Sequence, residues 1–468
     1  MDLRRAGPKT RNDTIRAPLP GPIRMESIDT LVCARWVIPV EPAAHPLDDH
    51  AVAVRDGRVV AVLPTQEALR RFEARQTVER PHHAVLPGLV DAHAGTQRLS
   101  RRHGDAGLPG AAPDAALAVA GPGYDPDLVQ AGTELAIAAM LRSGVTCLAT
   151  TPLRPDVAAR SAAAAQVRAS IGLVVSETTT GWATDADEHI DRGMRLRDEY
   201  RGDPLVSTHL APRDPVGCSD ATLTRVRRLA DELDLPVAMP VHASAREIDQ
   251  SLRAFGQRPL ARLAALGLVS PQLVAIHLSR AEPSDIDLLA GSGASVVHCP
   301  QPDLAQGRGA CPVAHLLGRG VRVALGSGLV AHCGDLDVLG AARLAGLVSD
   351  GIAATPAELV ASDLLRMATL EGARTLGLGE LTGSLLPGKW ADMCCVDLRT
   401  PRTWPVDDVV EAVLCAASAQ VTDTWVAGRQ LLAERRLTLL DESAVLGRAE
   451  GWWQRLEGQP SRETPGDG

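Results

Sequence analysis

Eight short apolar runs, separated by helical stretches, are the feature of this chain that most narrows its fold. Each run suits a strand that is buried on both faces of a parallel sheet, because such strands lack polar and apolar alternation. Eight strand–helix repeats predict an α/β chain with a closed (β/α)₈ TIM barrel, although a doubly wound sheet is an alternative that explains eight units less simply. The runs cover residues 84–93, 145–151, 170–176, 205–210, 236–242, 273–278, 295–300 and 321–327.

Two β-rich segments at opposite ends of the chain predict a second module. Residues 27–83 alternate in polarity around an Asp56-Gly57 turn, which is typical of a hairpin. A matching β-rich stretch returns after the last barrel run, so the two segments are expected to pair into a small β-sandwich around the inserted barrel. The predicted division is a disordered extension over 1–24, a β-sandwich over 25–85 and 384–440, the barrel over 86–383, and a C-terminal helix and tail over 441–468.

Two helices are clear from local signals. Residues 125–143 open on Asp125 and stop before Gly144, a residue that commonly ends helices. A last helix near residues 442–456 carries Trp452 and Trp453, which we expect to be packing residues.

The amino-acid composition argues against several classes of function. The net charge of −9 over 468 residues gives no electrostatic footprint for nucleic acid or an anionic membrane. Aromatic residues are 2% of the chain, and its only lysines are Lys9 and Lys389, so neither base stacking nor a Schiff-base lysine within the barrel is expected. Nine scattered cysteines without a CxxC pair, together with an N-terminus lacking an apolar signal core, favour reduced thiols in a cytoplasmic protein.

Histidines gather where chemistry is expected in such a barrel, at the carboxyl ends of the strands. A single histidine there is more often structural than a ligand, but several at one face favour a metal or catalytic site. The seventh run adds Cys299, but neighbours on a strand point to opposite faces, so a thiol–imidazole pair is disfavoured. The strand-end histidines are His93, His209, His242, His277 and His298.

Three stretches carry a family resemblance. "VLPGLVDAH" resembles the first-strand motif of amidohydrolases, residues 258–326 resemble strands six to eight of one branch, and "LTGSLLPGKWADMCCVDL" resembles the returning sandwich segment of that branch. The branch contains methylthioadenosine/S-adenosylhomocysteine deaminases and triazine hydrolases. The resemblance runs from about Met25 to about Leu440, and it implies the barrel-in-sandwich fold and ancestry in deamination of nucleosides or N-heterocycles.

The same resemblance implies one divalent metal, usually zinc or iron. Its ligands are two histidines of a His-x-His motif on the first strand, histidines ending strands five and six, and an aspartate ending strand eight. A glutamate three residues after the strand-five histidine shares proton transfer with that aspartate.

In this chain only His93 and His277 match those ligand positions. The second histidine of the first motif is replaced by Gly95, and the strand-eight aspartate is replaced by Gly328. The strand-five histidine and glutamate positions hold Pro240 and Ala243. A catalytic metal site needs at least three protein ligands, and only two are retained here. The resemblance therefore predicts a degenerate metal site without the inherited deaminase activity.

This prediction leaves two hypotheses for function. The first is a pseudoenzyme that has a regulatory or assembly role, as a homo-oligomer or as the partner of an active relative, and has no cofactor. The second is an active hydrolase that cleaves a carbon–nitrogen bond of a nucleoside-like or N-heterocyclic substrate through a remodelled site, with or without a single zinc or iron. Candidate replacement ligands for that site are His242, His332 and Cys333, and candidate pocket residues are His209, Arg280 and His298.

Overall fold

The computed structural model describes residues 25–96, 99, 125–328, 336–353, 359–416 and 418–457. The predicted N-terminal extension, the end of the C-terminal tail, and the candidate ligands His332 and Cys333 lie outside the described residues. No helix in the described ranges combines the length and the hydrophobicity that a bilayer crossing requires.

The described strands form two separate sheets, as the two kinds of apolar pattern predicted. In chain order the strands are β1 (Glu26–Val37), β2 (Leu47–Arg55), β3 (Arg58–Pro64), β4 (Phe72–Pro87), β5 (Leu89–Asp91), β6 (Val145–Thr150), β7 (Arg168–Val175), β8 (Val206–Pro212), β9 (Val237–Val241), β10 (Leu273–His277), β11 (Ser295–His298), β12 (Arg322–Leu325), β13 (Met393–Asp397), β14 (Val421–Val426), β15 (Arg429–Ala433) and β16 (Arg436–Leu437).

The first sheet joins the two ends of the chain in the order β16-β15-β14-β13-β4-β1-β2-β3. Strands β2 and β3 form the antiparallel hairpin predicted at Asp56-Gly57, where both turn residues have positive φ. The N- and C-terminal halves of the sheet meet where β4 pairs antiparallel with β13. This pairing confirms the prediction that the two β-rich ends form one module.

The second sheet runs in sequence order from β5 to β12, and the strand pairs assigned within it are parallel. It closes between its first and last strands through Ala92 N donating to Leu325 O at 2.9 Å and Gly328 N donating to His93 O at 2.8 Å. The eight predicted runs therefore form a TIM barrel. Its seam lies beside His93 and Gly328, two of the positions on which the functional question depends.

The described helices mostly alternate with the barrel strands along the chain. They are α1 (Thr65–Arg71), α2 (Pro126–Arg142), α3 (Pro155–Ala164), α4 (Ala186–Tyr200), α5 (Asp220–Leu233), α6 (Ala245–Phe255), α7 (Pro259–Ala265), α8 (Pro283–Leu289), α9 (Pro300–Ala305), α10 (Val313–Gly318), α11 (Val338–Ala353), α12 (Ala361–Met367), α13 (Leu370–Thr375), α14 (Val409–Cys415) and α15 (Glu442–Glu457).

Helices α2 and α15 begin and end close to the predicted positions. The Asp125 side chain caps α2 by accepting hydrogen bonds from Asp127 N and Leu128 N, and Gly144 follows with φ +86°. Trp452 and Trp453 of α15 pack against an apolar cluster that includes Leu128.

A buried ion pair connects the barrel to the segment that returns to the sandwich. Arg168 at the start of β7 donates from Nε to Asp392 Oδ2 at 2.7 Å and from Nη2 to Oδ1 at 3.2 Å. Asp392 also accepts a hydrogen bond from Ala427 N at 2.6 Å. Both side chains of the ion pair are almost fully excluded from solvent, so the contact fixes how this segment sits against the barrel.

Candidate active site at the carboxyl ends of the barrel strands

His93 follows the first barrel strand and rests on a buried carboxylate. Asp91 Oδ1 accepts a hydrogen bond from His93 N at 3.3 Å and from Ser327 N at 3.0 Å, while Ser327 Oγ donates to Oδ2 at 2.5 Å. Burial raises the pKa of Asp91 to about 6. These contacts tie the end of the first strand to the residues that follow the eighth.

His277 ends β10 with φ +78°, a left-handed conformation that turns the chain away from the strand direction. Its Nδ1 lies 2.8 Å from Asp303 Oδ1, and its Nε2 lies 3.1 Å from Nη1 of Arg308. Because a guanidinium can only donate, Nε2 is the acceptor and the ring proton is assigned to Nδ1, facing Asp303. Both nitrogens of His277 therefore face charged side chains.

His93 and His277, the two residues that match the family's ligand positions, are brought together. Their rings lie edge to face with centroids 6.0 Å apart. Burial, and then the nearby His277, His209 and Arg308, lower the pKa of His93 to about 3. His93 is therefore neutral at pH 7.

His209 lies on β8 and faces the same group. Its Nδ1 is 2.9 Å from Ser170 Oγ, and burial lowers the pKa of His209 to about 4. A Cβ atom at Gly172 on the neighbouring strand would come within 2.9 Å of Nε2 of His209. The glycine therefore makes room for this imidazole, which the sequence placed in the candidate pocket.

His298 ends β11, and Arg280 lies in the connection that follows β10. His298 is buried, its Nδ1 has no hydrogen-bond partner among the described residues, and burial lowers its pKa to about 4. Arg280 is exposed and donates to Gly307 O at 3.3 Å. The structure thus places His298 in the interior and Arg280 at the surface.

Cys299, the neighbour of His298, is not activated as a nucleophile. Its side chain is fully buried in an apolar cluster, and burial raises the pKa of its thiol well above the ordinary value. A reactive cysteine needs a lowered pKa and access to substrate, so this environment favours a packing role.

His242 is held in a separate buried network. Its Nε2 accepts a hydrogen bond from Leu260 N at 3.1 Å, and its Nδ1 lies 3.2 Å from both Asp285 Oδ2 and Arg258 Nη2. Asp285 also accepts from Arg258 Nη2 at 2.7 Å. A metal could use His242 only if one of these contacts were broken, so the geometry does not favour His242 as a replacement ligand.

The four positions where the resemblance expects other ligands or an acid–base carboxylate carry no side-chain donor. Gly95 follows the first strand, Pro240 lies within β9, and Ala243 donates its backbone N–H to Glu247 Oε2 at 2.7 Å. Gly328 has φ +65°, and a Cβ atom there would lie 2.6 Å from Cγ of Pro302. Within the described ranges no three histidine, cysteine or acidic side chains are placed to hold a metal ion.

Comparison with known proteins decides the family. The model of the amidohydrolase family matches residues 84–431. The chain belongs to the amidohydrolase family. The 5-methylthioadenosine/S-adenosylhomocysteine deaminases of Teredinibacter turnerae and Saccharophagus degradans are 34% and 32% identical to it. The alignments cover 92% of this chain in both cases, and 98% and 97% of the respective relatives.

Solved structures agree with this assignment. A zinc-bound adenosine deaminase from Xanthomonas campestris is 41% identical, with a TM-score of 0.89 over 93% of this chain and 100% of the other. The atrazine chlorohydrolase of Arthrobacter aurescens complexed with zinc has a TM-score of 0.81 at 21% identity, over 91% of this chain and 100% of the other. The second likeness concerns the fold alone.

Two residues beside His277, Asp303 and Arg308, were not predicted from the sequence as site residues. Asp303 lies in the short helix α9 and Arg308 in the loop after it, so neither ends a strand. A search for strand-end ligands passes over both. The available signal was an aspartate and an arginine five residues apart, shortly after the strand-end His298.

Proposed function

We propose that this amidohydrolase-family protein lacks the metal-dependent deaminase activity that its ancestry implies. The observation that carries the proposal is the donor set at the barrel mouth. Of the positions that the resemblance assigns to metal ligands, His93 and His277 retain a donor, whereas Gly95, Pro240 and Gly328 offer none. Ala243 likewise replaces the carboxylate that would move protons.

The described residues do not fit the metal that the family implies. Catalytic zinc sites use three protein ligands and an open position for water. Here two imidazoles come together, and Nε2 of His277 already accepts a hydrogen bond from Arg308. At the strand-eight position, a Cβ at residue 328 would lie 2.6 Å from Cγ of Pro302, which is too close for a real contact.

The consequence for deamination is large. In a catalytic zinc site the metal lowers the pKa of water from about 15.7 to about 7, which corresponds to about 12 kcal/mol of activation. The missing general acid and base would have added a further factor of roughly 10²–10⁴. The buried histidines do not replace this electrophilic help, because lowered pKa values keep His93, His209 and His298 uncharged at neutral pH.

A turnover assay tests the proposal. The substrates are methylthioadenosine, S-adenosylhomocysteine and adenosine, and ammonia release is followed with added zinc or iron. The deaminase of Teredinibacter turnerae serves as the positive control, and His277→Ala of this chain serves as the background. We expect the wild-type protein to match that background. Turnover that disappears in His277→Ala would refute the proposal.

One observation favours the alternative of an active carbon–nitrogen hydrolase. Neither carboxylate oxygen of the buried Asp303 has a well-aligned hydrogen bond among the described residues, although His277 Nδ1 lies 2.8 Å away. A carboxylate beside an imidazole can orient it for proton transfer. The alternative predicts turnover of a nucleoside-like or N-heterocyclic substrate that resists chelators and is lost in Asp303→Asn. If turnover requires added metal, this form of the alternative fails.

We further propose that the scaffold persists for regulation or assembly, as a homo-oligomer or with an active relative. The support is that the barrel seam and the Arg168–Asp392 ion pair are intact while the ligand positions have changed. Light scattering of the purified chain, alone and mixed with an active deaminase, tests this role. A monomer that neither self-associates nor changes the partner's activity would contradict it.

A further inference from the structure

We propose that Arg308 supplies, as a fixed guanidinium, the positive charge at the barrel mouth that a divalent metal supplies in active relatives. This inference rests on the proposed loss of metal-dependent deamination and goes beyond it. Arg308 contacts His277, the retained ligand position, in the place where a metal would bind.

The first support is the direction of the hydrogen bond to His277. Nη1 of Arg308 lies 3.1 Å from Nε2 of His277. A guanidinium is always charged in proteins and has no acceptor, so Nε2 must use its lone pair on Arg308. A metal requires that same lone pair, and therefore the two cations compete for one imidazole.

The second support is the carboxylate on the other side of the ring. Histidines that bind metals usually present their other N–H to a carboxylate or a carbonyl, which fixes the ring and its tautomer. His277 has the same neighbour, since Nδ1 lies 2.8 Å from Asp303 Oδ1, although the two atoms are not aligned as a hydrogen bond. The Arg308 guanidinium thus completes a series of carboxylate, imidazole and cation in which only the cation differs from a metal site.

The third support is that the loop holds Arg308 firmly over β10. Arg308 N donates to Asp303 O at 2.8 Å, and the guanidinium lies 3.7 Å from Asp303 Oδ1. Gly309 has φ +107°, and a Cβ atom there would lie 3.1 Å from Ser279 O, so the loop makes a close approach. The Arg308 side chain is 16% exposed and the Asp303 carboxylate is fully buried.

This arrangement should exclude a metal actively. A divalent ion about 4 Å from a unit positive charge is repelled strongly enough, in partly buried surroundings, to weaken its binding far more than tenfold. A guanidinium also cannot generate hydroxide from bound water, although it can hold a hydrogen-bond acceptor of a ligand.

Cobalt binding tests the inference without relying on activity, because Co²⁺ bound to imidazole has a characteristic visible absorption. The variants are Arg308→Met, which keeps much of the aliphatic bulk, and Arg308→Ala. Arg280→Ala is the matched control, since Arg280 is an exposed arginine that contacts the same loop. We expect no visible band in the wild type or Arg280→Ala, and at least about tenfold tighter Co²⁺ binding in both Arg308 variants. That gain should disappear in Arg308→Met/His277→Ala.

Two results would overturn the inference. If folded Arg308 variants bind Co²⁺ no better than a metal-free wild type, Arg308 is not what excludes the ion, while the proposed loss of deamination stands. If the wild type binds Co²⁺ through His277 and also deaminates, both proposals fail.

If the Arg308 variants do not fold, NMR of the wild-type protein still tests the hydrogen bond from Arg308 to His277. The ¹⁵N imidazole signals of His277, assigned by their absence in His277→Ala, should report the Nδ1–H tautomer. The Nε2–H tautomer would contradict the hydrogen bond from Arg308.

Discussion

Gly328 offers the sharpest test of how tightly the barrel mouth is packed. It has φ +65° at the barrel seam, and its N–H is fixed by a hydrogen bond to His93 O at 2.8 Å. A Cβ atom would lie 2.6 Å from Cγ of Pro302, which is closer than real contacts allow. We therefore expect Gly328→Ala to destabilise the fold through two separable effects.

The magnitude follows from those effects. A left-handed conformation costs a residue with a side chain about 1–2 kcal/mol, and overpacking against a fixed neighbour costs about 1–3 kcal/mol. The total is about 2–5 kcal/mol of unfolding free energy. Gly256→Ala is the matched control, because Gly256 has φ +68° and a Cβ atom there would meet nothing within 4 Å. It should show the conformational cost alone.

Urea unfolding followed by circular dichroism and tryptophan fluorescence measures both variants, provided that the two probes give coincident transitions. Pro302→Ala completes a double-mutant cycle, and the coupling with Gly328→Ala should be about 1–3 kcal/mol in the direction of rescue. The reasoning is refuted if Gly328→Ala costs no more than Gly256→Ala, or if Pro302→Ala gives no rescue. If it holds, restoring the aspartate by Gly328→Asp requires a change at Pro302 as well.

Two further predictions concern buried carboxylates and the cations that pair with them. Arg168→Met should cost about 3–5 kcal/mol, because it leaves the buried Asp392 carboxylate without its cation, whereas Arg319→Ala, at an exposed ion pair, should cost less than about 1 kcal/mol. Equal losses in chemical denaturation would contradict this. Burial alone would raise the pKa of Asp285, but hydrogen bonds from His242 and Arg258 lower it to about 2. A lowered folded-state pKa gives stability that is present above the unfolded value of 3.8 and is lost as pH falls towards 2. The wild type should therefore lose about 2 kcal/mol more than Asp285→Asn between pH 5 and pH 2, and parallel pH profiles would refute the assignment.

Much of the fold could be predicted because it depends on local periodicity and on the residues that form turns and end helices. The apolar runs, the Asp56-Gly57 turn and the end of α2 at Gly144 each carry their own signal. The first run shows where periodicity fails. Residues 84–87 belong to β4 of the sandwich and only 89–91 to the barrel, with a break at Gly88. A Cβ atom at Gly88 would overlap Thr146, so only glycine fits where the chain passes between the two sheets.

The site was less predictable because its contacts arise from tertiary structure. Strand alternation places His242 on the same side as Pro240, but β9 ends at Val241 and His242 has φ +51°, so the alternation stops one residue too early. Asp303 and Arg308 reach His277 only because a short helix and a loop fold back over the end of β10. Sequence alone located His93 and His277, and it could not say what faces them.

The metal content of the wild-type protein tests the central claim most directly. The protein would be purified without chelators, incubated with zinc and iron, desalted, and measured by plasma mass spectrometry beside His93→Ala/His277→Ala. We expect both proteins to carry the same trace amount, far below the roughly one equivalent that an intact mononuclear site retains. About one equivalent in the wild type, lost in the double variant, would contradict the claim that the barrel mouth has given up its catalytic metal.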